Sequence, residues 1–524
     1  MLDFNITKMK KKYSLIVLAF MILLTSGSCK KFITEDPQTA LTEEEVFKSL
    51  DNIEPLVLGL YTSWRNTKKD RGGFIFTMGT DEAQQGAYQV RTDDRQAGID
   101  RYNGFLSASN TALAEQWNSR WPVISAAAKV VYALGLNTEE SERKNIILGE
   151  ASFIRAALTF EMTQYWGEIP IIDQAKFKEY GTKRQPLNMV YSFIITDLEN
   201  AVKYLPVSQT DKRRATKGAA QALLGKVYLY APEASGAKDY AKARDMFKQV
   251  VENGGYSLVP KYADLWDPTK QNTTESIYEF KFNNVYPDNN QTQWQMGSRS
   301  LAEVDQYCYF GGYDLMVPTK YCYQNTSDGG VWEDGDVRKN ESIRYDFTYK
   351  GKVPTLNPAF GGDELDPHVK KFEDPRTEGK LSFWLSGKNI FYLRYADILL
   401  CYAETLNETG ATSQAVDLIN STIRTRAWNG NLPADKRWNA GMSQQDFRAN
   451  IMDERMRELC FEGWRRMDLI RTGKLVELAK QRNKWTKESG SIQEYHNRYP
   501  IPLQEIKQND DIAESDQNPG YSNN

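Results

Sequence analysis

Apolar residues recur at steps of three and four along much of the chain. One such face is formed by Ile147, Ala151, Ile154, Leu158, Met162 and Tyr165. A second begins after Thr216 and is formed by Ala219, Leu223, Val227 and Tyr230. This spacing places the apolar side chains on one side of a helix of 3.6 residues per turn, so it predicts amphipathic helices. The pattern favours a mainly α-helical fold.

Two helix pairs share one style of packing. Leu224-Gly225-x-x-Tyr228 is followed, after a turn, by Ala243-x-x-x-Phe247. The small residues let two helices approach closely and the two rings fill the remaining space, which is the inner half of a tetratricopeptide pattern. A second pair, residues 395–407 and 413–426, is separated by a break at Gly410. We therefore predict a scaffold of tetratricopeptide-like helix pairs.

The character of the chain changes in residues 278–350. Residues 278–349 contain 15 aromatic side chains, 21% against 12% for the whole chain, together with several glycines. No long helical period runs through this stretch. It predicts a loop-rich insert with short strands on the helical body, and loops held by a rigid scaffold are where ligands commonly bind.

The N-terminus carries the pattern of an export signal. A short basic stretch ends at Lys12, and an apolar run of 12 residues follows from Tyr13 to Leu24. Because a membrane-spanning helix needs about 20 residues, this run is typical of a signal peptide, here residues 1–28. Cys29 follows small residues, which indicates a bacterial lipoprotein with Cys29 acylated; the alternative is ordinary secretion with an unmodified Cys29.

Composition narrows the function. The chain has 524 residues, a net charge of −3 and two histidines, His368 and His496. Two histidines exclude a three-histidine zinc site and the HExxH helix. The sequence has no long basic run of the kind that would indicate nucleic-acid binding. No Gly-rich phosphate-binding motif is present. We expect no cofactor, no metal site and no catalytic residues, and the composition favours a binding protein over an enzyme.

Four cysteines remain beyond Cys29. Cys401 and Cys460 lie in helical apolar patterns, which predicts buried thiols. Cys308 and Cys322 lie 14 residues apart in the loop-rich stretch. A disulfide between them is one alternative in an exported protein, and two free thiols is the other.

The chain contains several longer motifs: Gly149-Glu-Ala-Ser-Phe-Ile-Arg-Ala156, Tyr165-Trp-Gly-Glu-Ile-Pro170, Leu393-Arg-Tyr-Ala-Asp-Ile-Leu-Leu400, Glu454-Arg-x-x-Glu-Leu-x-Phe-Glu-Gly-x-Arg-Arg466 and Tyr499-Pro-Ile-Pro502. With these motifs the chain resembles the SusD/RagB family of outer-membrane lipoproteins of Bacteroidetes, and the resemblance covers nearly the whole mature chain. Most of these motifs look structural. Buried charges must be paired, so we expect an ion-pair lattice rather than a catalytic centre among Arg394, Asp397, Glu404, Arg455, Glu458, Glu462 and Arg466.

The resemblance implies a fold and a role. It implies tetratricopeptide-like helix pairs in an N-terminal helical part (29–277) and a C-terminal helical part (351–524), with the ligand held by the insert (278–350), all in one fold. It further implies a lipid-anchored protein at the cell surface, in the outer membrane. Such a protein captures a nutrient, usually a glycan, for a SusC-like TonB-dependent transporter, and catalyses no reaction.

Glycan binding calls for aromatic faces beside polar side chains, because sugar rings present an apolar C–H face and a rim of hydroxyls. Two stretches fit: the polar loop from Asp81 to Arg91, and the insert. The predicted ligand-binding residues are Asp81, Tyr88, Trp294, Tyr307, Tyr309 and Trp332. Trp294 and Trp332 are expected at exposed loop tips. For each aromatic the alternative is packing in a small core of the insert itself.

Three other functions stay open from the sequence. A RagB-like member would capture peptides, which also bind aromatic grooves. A secreted glycoside hydrolase would need two carboxylates about 5–10 Å apart, and the candidates are Glu333 with Asp334 and Asp93 with Asp94. A pure helical-repeat scaffold would not need the aromatic insert.

Overall fold

Helices form the frame of the computed structural model, which describes residues 43–87, 89, 94–179, 181–353, 365–380 and 384–522. The predicted signal peptide and Cys29 lie outside these residues. The N-terminal helices are α1 (Glu43–Phe47), α2 (Leu50–Asn66), α3 (Asp94–Arg101), α4 (Thr111–Leu136), α5 (Glu142–Trp166), α6 (Leu187–Tyr204), α7 (Lys217–Tyr230), α8 (Tyr240–Asn253) and α9 (Ala263–Trp266). Across all the residues that the structure describes, no helix is both long and apolar enough to cross a membrane.

Short elements follow, and then a second helical part. The short helices are α10 (Thr292–Met296), α11 (Arg299–Val304), α12 (Lys320–Tyr323) and α13 (Arg338–Ser342). The C-terminal helices are α14 (Tyr395–Glu408), α15 (Thr412–Ile419), α16 (Thr425–Ala427), α17 (Gln444–Leu459), α18 (Arg465–Arg471), α19 (Leu475–Arg482), α20 (Lys484–Ser489) and α21 (Leu503–Gln508). A π-helical segment, Asn420–Arg424, joins α15 to α16.

The strands are short and pair two by two. They are β1 (Ala83–Gln84), β2 (Ile169–Pro170), β3 (Arg184–Gln185), β4 (Ser276–Phe280), β5 (Val317–Pro318), β6 (Ile343–Arg344), β7 (His368–Val369) and β8 (Ile390–Arg394). The antiparallel pairs are β1 with β5, β2 with β3, β4 with β8 and β6 with β7. The mainly α-helical fold predicted from the hydrophobic pattern is therefore confirmed.

The helix pair α7 and α8 packs as the tetratricopeptide pattern predicts. A Cβ atom added to Gly225 would lie 2.6 Å from Cε1 of Phe247, so only glycine permits this approach. Ala243 and Phe247 are fully buried at the contact. Helix α5 is the most enclosed long helix of the N-terminal part, since its residues from Gly149 to Trp166 are all buried. It begins at the cap Ser141, whose hydroxyl accepts from the Lys144 N–H.

One large hydrophobic cluster draws side chains from Phe47 to Ile512 and includes residues of the insert. A separate small cluster lies within the insert and consists of Leu301, Cys308, Phe310 and Phe347. Cys322 belongs to the large cluster and Cys308 to the small one, and both are free thiols. The structure therefore does not show the disulfide between Cys308 and Cys322 that the sequence left open.

The predicted ion-pair lattice is present in the C-terminal part. Arg394 lies 2.8 Å from a carboxylate oxygen of Glu275 and 2.6 Å from oxygens of Glu458 and Glu462. Arg338 binds Glu458 at 3.0 Å, and all these side chains are almost fully buried. Burial would raise the pKa of Glu458, but the surrounding arginines hold that pKa far below its usual range.

Three further members of the lattice form a second group. Arg455 pairs with Asp397 at 3.0 Å and with Asp468 at 2.8 Å, and Glu404 pairs with Arg471. The prediction of an ion pair is wrong for Arg466, because its guanidinium binds a hydroxyl, a carbonyl oxygen and an aromatic ring rather than a carboxylate. It donates to the Tyr102 hydroxyl and to the His496 carbonyl oxygen, with its guanidinium 4.2 Å from the Tyr499 ring centroid.

Candidate functional site

A groove of about 500 Å³ lies where the end of α2 meets α4 and α10, and we call it the Trp294 groove. Its wall contains two aromatic rings, those of Trp294 and Tyr313, and both side chains are half-buried. The polar and small residues of its wall are Asn66, Thr67, Asp70, Arg71, Gly72, Glu115, Gln116, Ser119, Gln291 and Gln295.

Backbone hydrogen bonds hold the two rings together. The carbonyl oxygen of Trp294 accepts from the Tyr313 N–H at 2.7 Å, and that of Gln295 accepts from the Leu315 N–H at 2.8 Å. The ring centroids of Trp294 and Tyr313 are 4.9 Å apart, with the planes inclined by 32°. The two rings form a tilted aromatic pair within the usual contact distance, and both contribute apolar surface to the groove.

Gly312 makes this approach possible. A Cβ atom at residue 312 would lie 2.0 Å from the carbonyl oxygen of Trp294 and 2.7 Å from Cα of Gly297. These neighbours are backbone atoms, so they cannot turn aside as a flexible side chain could. The residue before Tyr313 therefore has to be glycine for the two rings to meet.

The polar side of the groove contains an acceptor without a protein partner. Gln295 is only 4% exposed, and its Oε1 atom accepts no hydrogen bond within the described part of the chain. A buried polar atom left unpaired costs free energy, about 1–3 kcal/mol. The residue lines the groove, but this oxygen has almost no solvent-accessible surface, so a ligand hydroxyl can donate to it only when a neighbouring side chain moves aside.

A larger cleft of about 990 Å³ lies between the insert and helices α19 and α20. Its walls include the rings of Tyr321 and Tyr323, but the guanidinium of Arg482 lies 3.5 Å from the centroid of the Tyr321 ring and covers one face. In the Trp294 groove the guanidinium of Arg299 lies farther from the Tyr313 ring, at 5.4 Å. The Trp294 groove is smaller, yet it combines two rings in contact with many polar side chains, so it is the better candidate for binding a sugar.

Asp81, predicted to contact a ligand, is fully buried. Its carboxylate lies 2.7 Å from Arg465 and 3.0 Å from Arg482. Burial would raise the pKa of Asp81, but the two guanidinium groups lower that pKa below its ordinary value. A ligand can contact only an exposed side chain, so the prediction that Asp81 contacts the ligand is wrong. Asp81 instead links the 81–87 segment to the C-terminal helices.

Trp332 is also fully buried, so the expected exposed loop tip is wrong for this residue. Its indole N–H donates to the Cys322 carbonyl oxygen at 2.6 Å. With that partner available inside the fold, the large ring gains more by packing than by facing water. The neighbouring Glu333 binds Arg424 at 2.8 Å.

Tyr307 and Tyr309 are half-buried beside the small cluster and do not line the Trp294 groove. The Tyr309 ring packs edge-on against Phe310, with centroids 4.9 Å apart, and burial raises the pKa of Tyr309. Ligand contact by these two residues stays a prediction. Tyr88 lies outside the described residues, but its neighbour Gln89 donates to the Tyr313 carbonyl oxygen at 2.6 Å.

Of the six predicted residues, the structure places Trp294 in the groove. The expected exposed loop tip is wrong for Trp294, which is half-buried within α10. Sequence reasoning missed Tyr313 and Gln295. The signal for Tyr313 was the pair Gly311-Gly312 directly before it, because two glycines mark a close backbone approach. No comparable signal marks Gln295, since its importance comes from the lack of a partner in three dimensions.

Comparison with known families agrees with the motifs. A family model described as SusD family matches residues 243–521. The chain belongs to the SusD family. A second model, described as starch-binding associating with outer membrane, matches residues 31–229 of this SusD-family chain.

Named relatives and solved structures are similar over nearly the whole chain. A SusD-like protein of Formosa agariphila is 24% identical, covering 98% of this chain and 100% of the relative. The crystal structure of a SusD homolog from Bacteroides thetaiotaomicron has a TM-score of 0.75 at 22% identity, covering 92% of this chain and 99% of the other. Surface glycan-binding protein A from Bacteroides thetaiotaomicron, solved in complex with laminarihexaose, has a TM-score of 0.71 at 17% identity, covering 89% of this chain and 99% of the other.

Proposed function

We propose that this protein is a cell-surface lipoprotein that binds a glycan in the Trp294 groove and delivers it to a SusC-like TonB-dependent transporter. The observation that carries the proposal is the aromatic pair Trp294–Tyr313 beside the unpartnered acceptor of Gln295. Binding, rather than catalysis, is the activity. The lipid on Cys29 anchors the chain in the outer membrane.

The wall of the groove matches the two kinds of surface on a sugar. The paired rings offer an apolar face to C–H groups, and rigid aromatic side chains lose little conformational entropy on binding. The side chains of Gln295, Gln291 and Asn66 supply amide donors and acceptors for hydroxyl groups. Asp70, Glu115 and Arg71 add two negative charges and one positive charge, and charged groups of either sign can bond the hydroxyl groups of a sugar.

The family relationship supports a glycan as the ligand. One matching family model is described as starch-binding, and a structural relative was solved with laminarihexaose. Membership of the SusD family also implies that the partner protein is a SusC-like transporter.

Hydrolysis is the function that this proposal has to exclude by experiment. Two carboxylates, Asp70 and Glu115, line the groove. Glu333, one of the acids considered from the sequence, is bound to Arg424, and Asp93 lies outside the described residues. Because the relative solved with laminarihexaose is named as a glycan-binding protein, we expect binding without the release of new reducing ends.

The test uses the mature chain from Lys30 in affinity electrophoresis against a panel of soluble polysaccharides, with a reducing-sugar assay on the same mixtures. We expect retardation by at least one glycan and no new reducing ends. Trp294→Ala should abolish the retardation, because it removes half of the aromatic wall.

The matched control is Tyr345→Ala, which removes another aromatic ring that is 44% exposed and lies outside the groove. It should leave retardation unchanged. New reducing ends would contradict the binding role. Failure of every glycan, with binding of peptides that Trp294→Ala abolishes, would move the assignment to a peptide-capturing lipoprotein.

The anchor is tested separately in cells that export the full chain. Cys29→Ser should release the protein from the outer-membrane fraction, because no acyl chain can be attached to serine at this position. Membrane retention of that variant would contradict the lipid anchor without affecting the glycan assignment.

A further inference from the structure

Two cysteines far apart in sequence meet inside the fold. Cys322, in α12, and Cys460, directly after α17, are 138 positions apart. Both are fully buried in the large hydrophobic cluster, and each thiol alters the pKa of the other, because the two side chains are neighbours. The insert thus packs against the C-terminal helices where these two cysteines lie.

The backbone on both sides fixes this meeting point through Glu82. The Glu82 carbonyl oxygen accepts from the Thr319 N–H at 3.0 Å, and its carboxylate accepts from the Phe461 N–H at 2.8 Å. The Thr319 hydroxyl in turn accepts from the Cys322 N–H at 3.2 Å. Because one residue binds the backbone near both cysteines, the two segments that contain Cys322 and Cys460 are held in the same region of the fold.

The other two described cysteines are held elsewhere. The sulfur of Cys401 accepts from Arg455 at 3.3 Å and contacts Asp397. Cys308 lies in the small cluster of the insert. Among the described thiols, Cys460 is therefore the one that faces Cys322.

The surroundings of Cys460 favour the reactive form of a thiol. Burial alone would raise its pKa, but contact with Cys322 and the nearby Lys371 ammonium lower the pKa to about 7. Thiolates are the nucleophiles of thiol–disulfide exchange, and an attacking thiol with a pKa near ambient pH reacts best.

We propose that Cys322 and Cys460 form a disulfide bond in the exported protein, which staples the insert to the end of α17. The oxidant is a disulfide-bearing compound or protein. The Cys460 thiolate attacks one sulfur of that disulfide and releases the first thiolate; Cys322, after losing its proton, attacks the Cys460 sulfur and releases the second.

The balance of this exchange is complete. Two cysteine thiols are oxidised to one disulfide, one external disulfide is reduced to two thiols, and the two protons pass to the released thiolates. Since both cysteines are buried in the folded chain, the exchange takes place before the region has closed or during a local opening. The oxidising setting rests on the surface location proposed above, because disulfides persist outside the cytoplasm.

The test takes the full chain from the outer membrane of cells that export it. The protein is unfolded in the presence of an alkylating reagent, digested without reduction and examined by mass spectrometry. We expect one cross-linked peptide that contains Cys322 and Cys460 and is lighter by two hydrogen atoms than its two parts. Cys308 and Cys401 should be alkylated.

Variants test the pairing independently of the mass spectrum of the wild-type chain. Cys322→Ser should leave Cys460 alkylated, whereas Cys308→Ser should leave the cross-linked peptide unchanged. Alkylation of both Cys322 and Cys460 in the wild-type chain would overturn the proposal, and so would a cross-link between Cys322 and Cys308. Neither result depends on glycan binding, so failure here leaves the proposed function standing.

Discussion

The ion-pair lattice around Arg394 differs from the Trp294 groove in how its polar atoms are paired. In the lattice, Arg394 meets three carboxylates, and the groups around it are paired and buried. In the groove, the Oε1 atom of Gln295 is buried but unpaired, and the aromatic rings are only half-covered. Polar groups that satisfy one another hold a structure in place, whereas those left unsatisfied beside an opening are available to a ligand.

The largest effect is expected from Arg394→Ala. The substitution leaves the carboxylates of Glu275, Glu458 and Glu462 buried without this partner, and breaking a buried pair costs about 3–5 kcal/mol. The free energy of unfolding in urea measures the loss. Arg143→Ala is the control, because Arg143 pairs with Asp51 and Glu54 at a solvent-exposed site and should change stability little. Equal losses in both variants would contradict the contrast.

Gly312→Ala should have the next largest effect. The added methyl group collides with the Trp294 carbonyl oxygen, and forcing an extra methyl group into a packed site costs about 1–3 kcal/mol. We also expect weaker glycan binding, because Tyr313 is displaced from Trp294. Gly104→Ala, where a Cβ atom meets nothing within 4 Å, should change neither property. Thermal unfolding and affinity electrophoresis check both.

Gln295→Leu should separate binding from stability. The free energy of unfolding should stay the same or rise by about 1 kcal/mol, because an unpaired buried oxygen is removed. The affinity for the glycan should fall about threefold to tenfold, the value of one hydrogen bond. Gln116→Leu gives the contrast, since its Oε1 accepts from Arg120 at 3.0 Å and its loss should lower stability. A stability loss in Gln295→Leu would mean that the oxygen is already satisfied.

The smallest effect concerns pH. Burial and the nearby Arg466 lower the pKa of His496 to about 4, below its usual value of about 6.5. As the pH falls through this interval, the unfolded chain takes up the proton before the folded chain does, so stability is lost. His496→Gln should make the unfolding free energy fall less steeply over this pH range. An unchanged slope in urea titrations would contradict the assignment.

Helix periodicity and local motifs were enough to predict the helical frame. The approach of Gly225 to Phe247 and the pairing of Arg394 with Glu458 follow from short patterns and from the rule that buried charges need partners. The exposure of Asp81 was predicted wrongly because its partners, Arg465 and Arg482, are far away in sequence. Trp332 has a partner only ten residues away, the Cys322 carbonyl oxygen, but the sequence around it does not show that the loop folds back on itself. A polar neighbourhood in the sequence does not show whether a distant segment covers it.

The link between Asp81 and Arg465 also sets an order of events. The two residues are 384 positions apart, so the ion pair can form only after most of the chain has been synthesised. Glu275 likewise can pair only after Arg394 and Arg426 have been synthesised. A chain that ends before residue 465 contains Asp81 and Glu275 but lacks Arg465, the partner of Asp81. Truncation before residue 465 should therefore destabilise the region around Asp81, because the loss of Arg465 and Arg482 leaves a buried carboxylate without its partners.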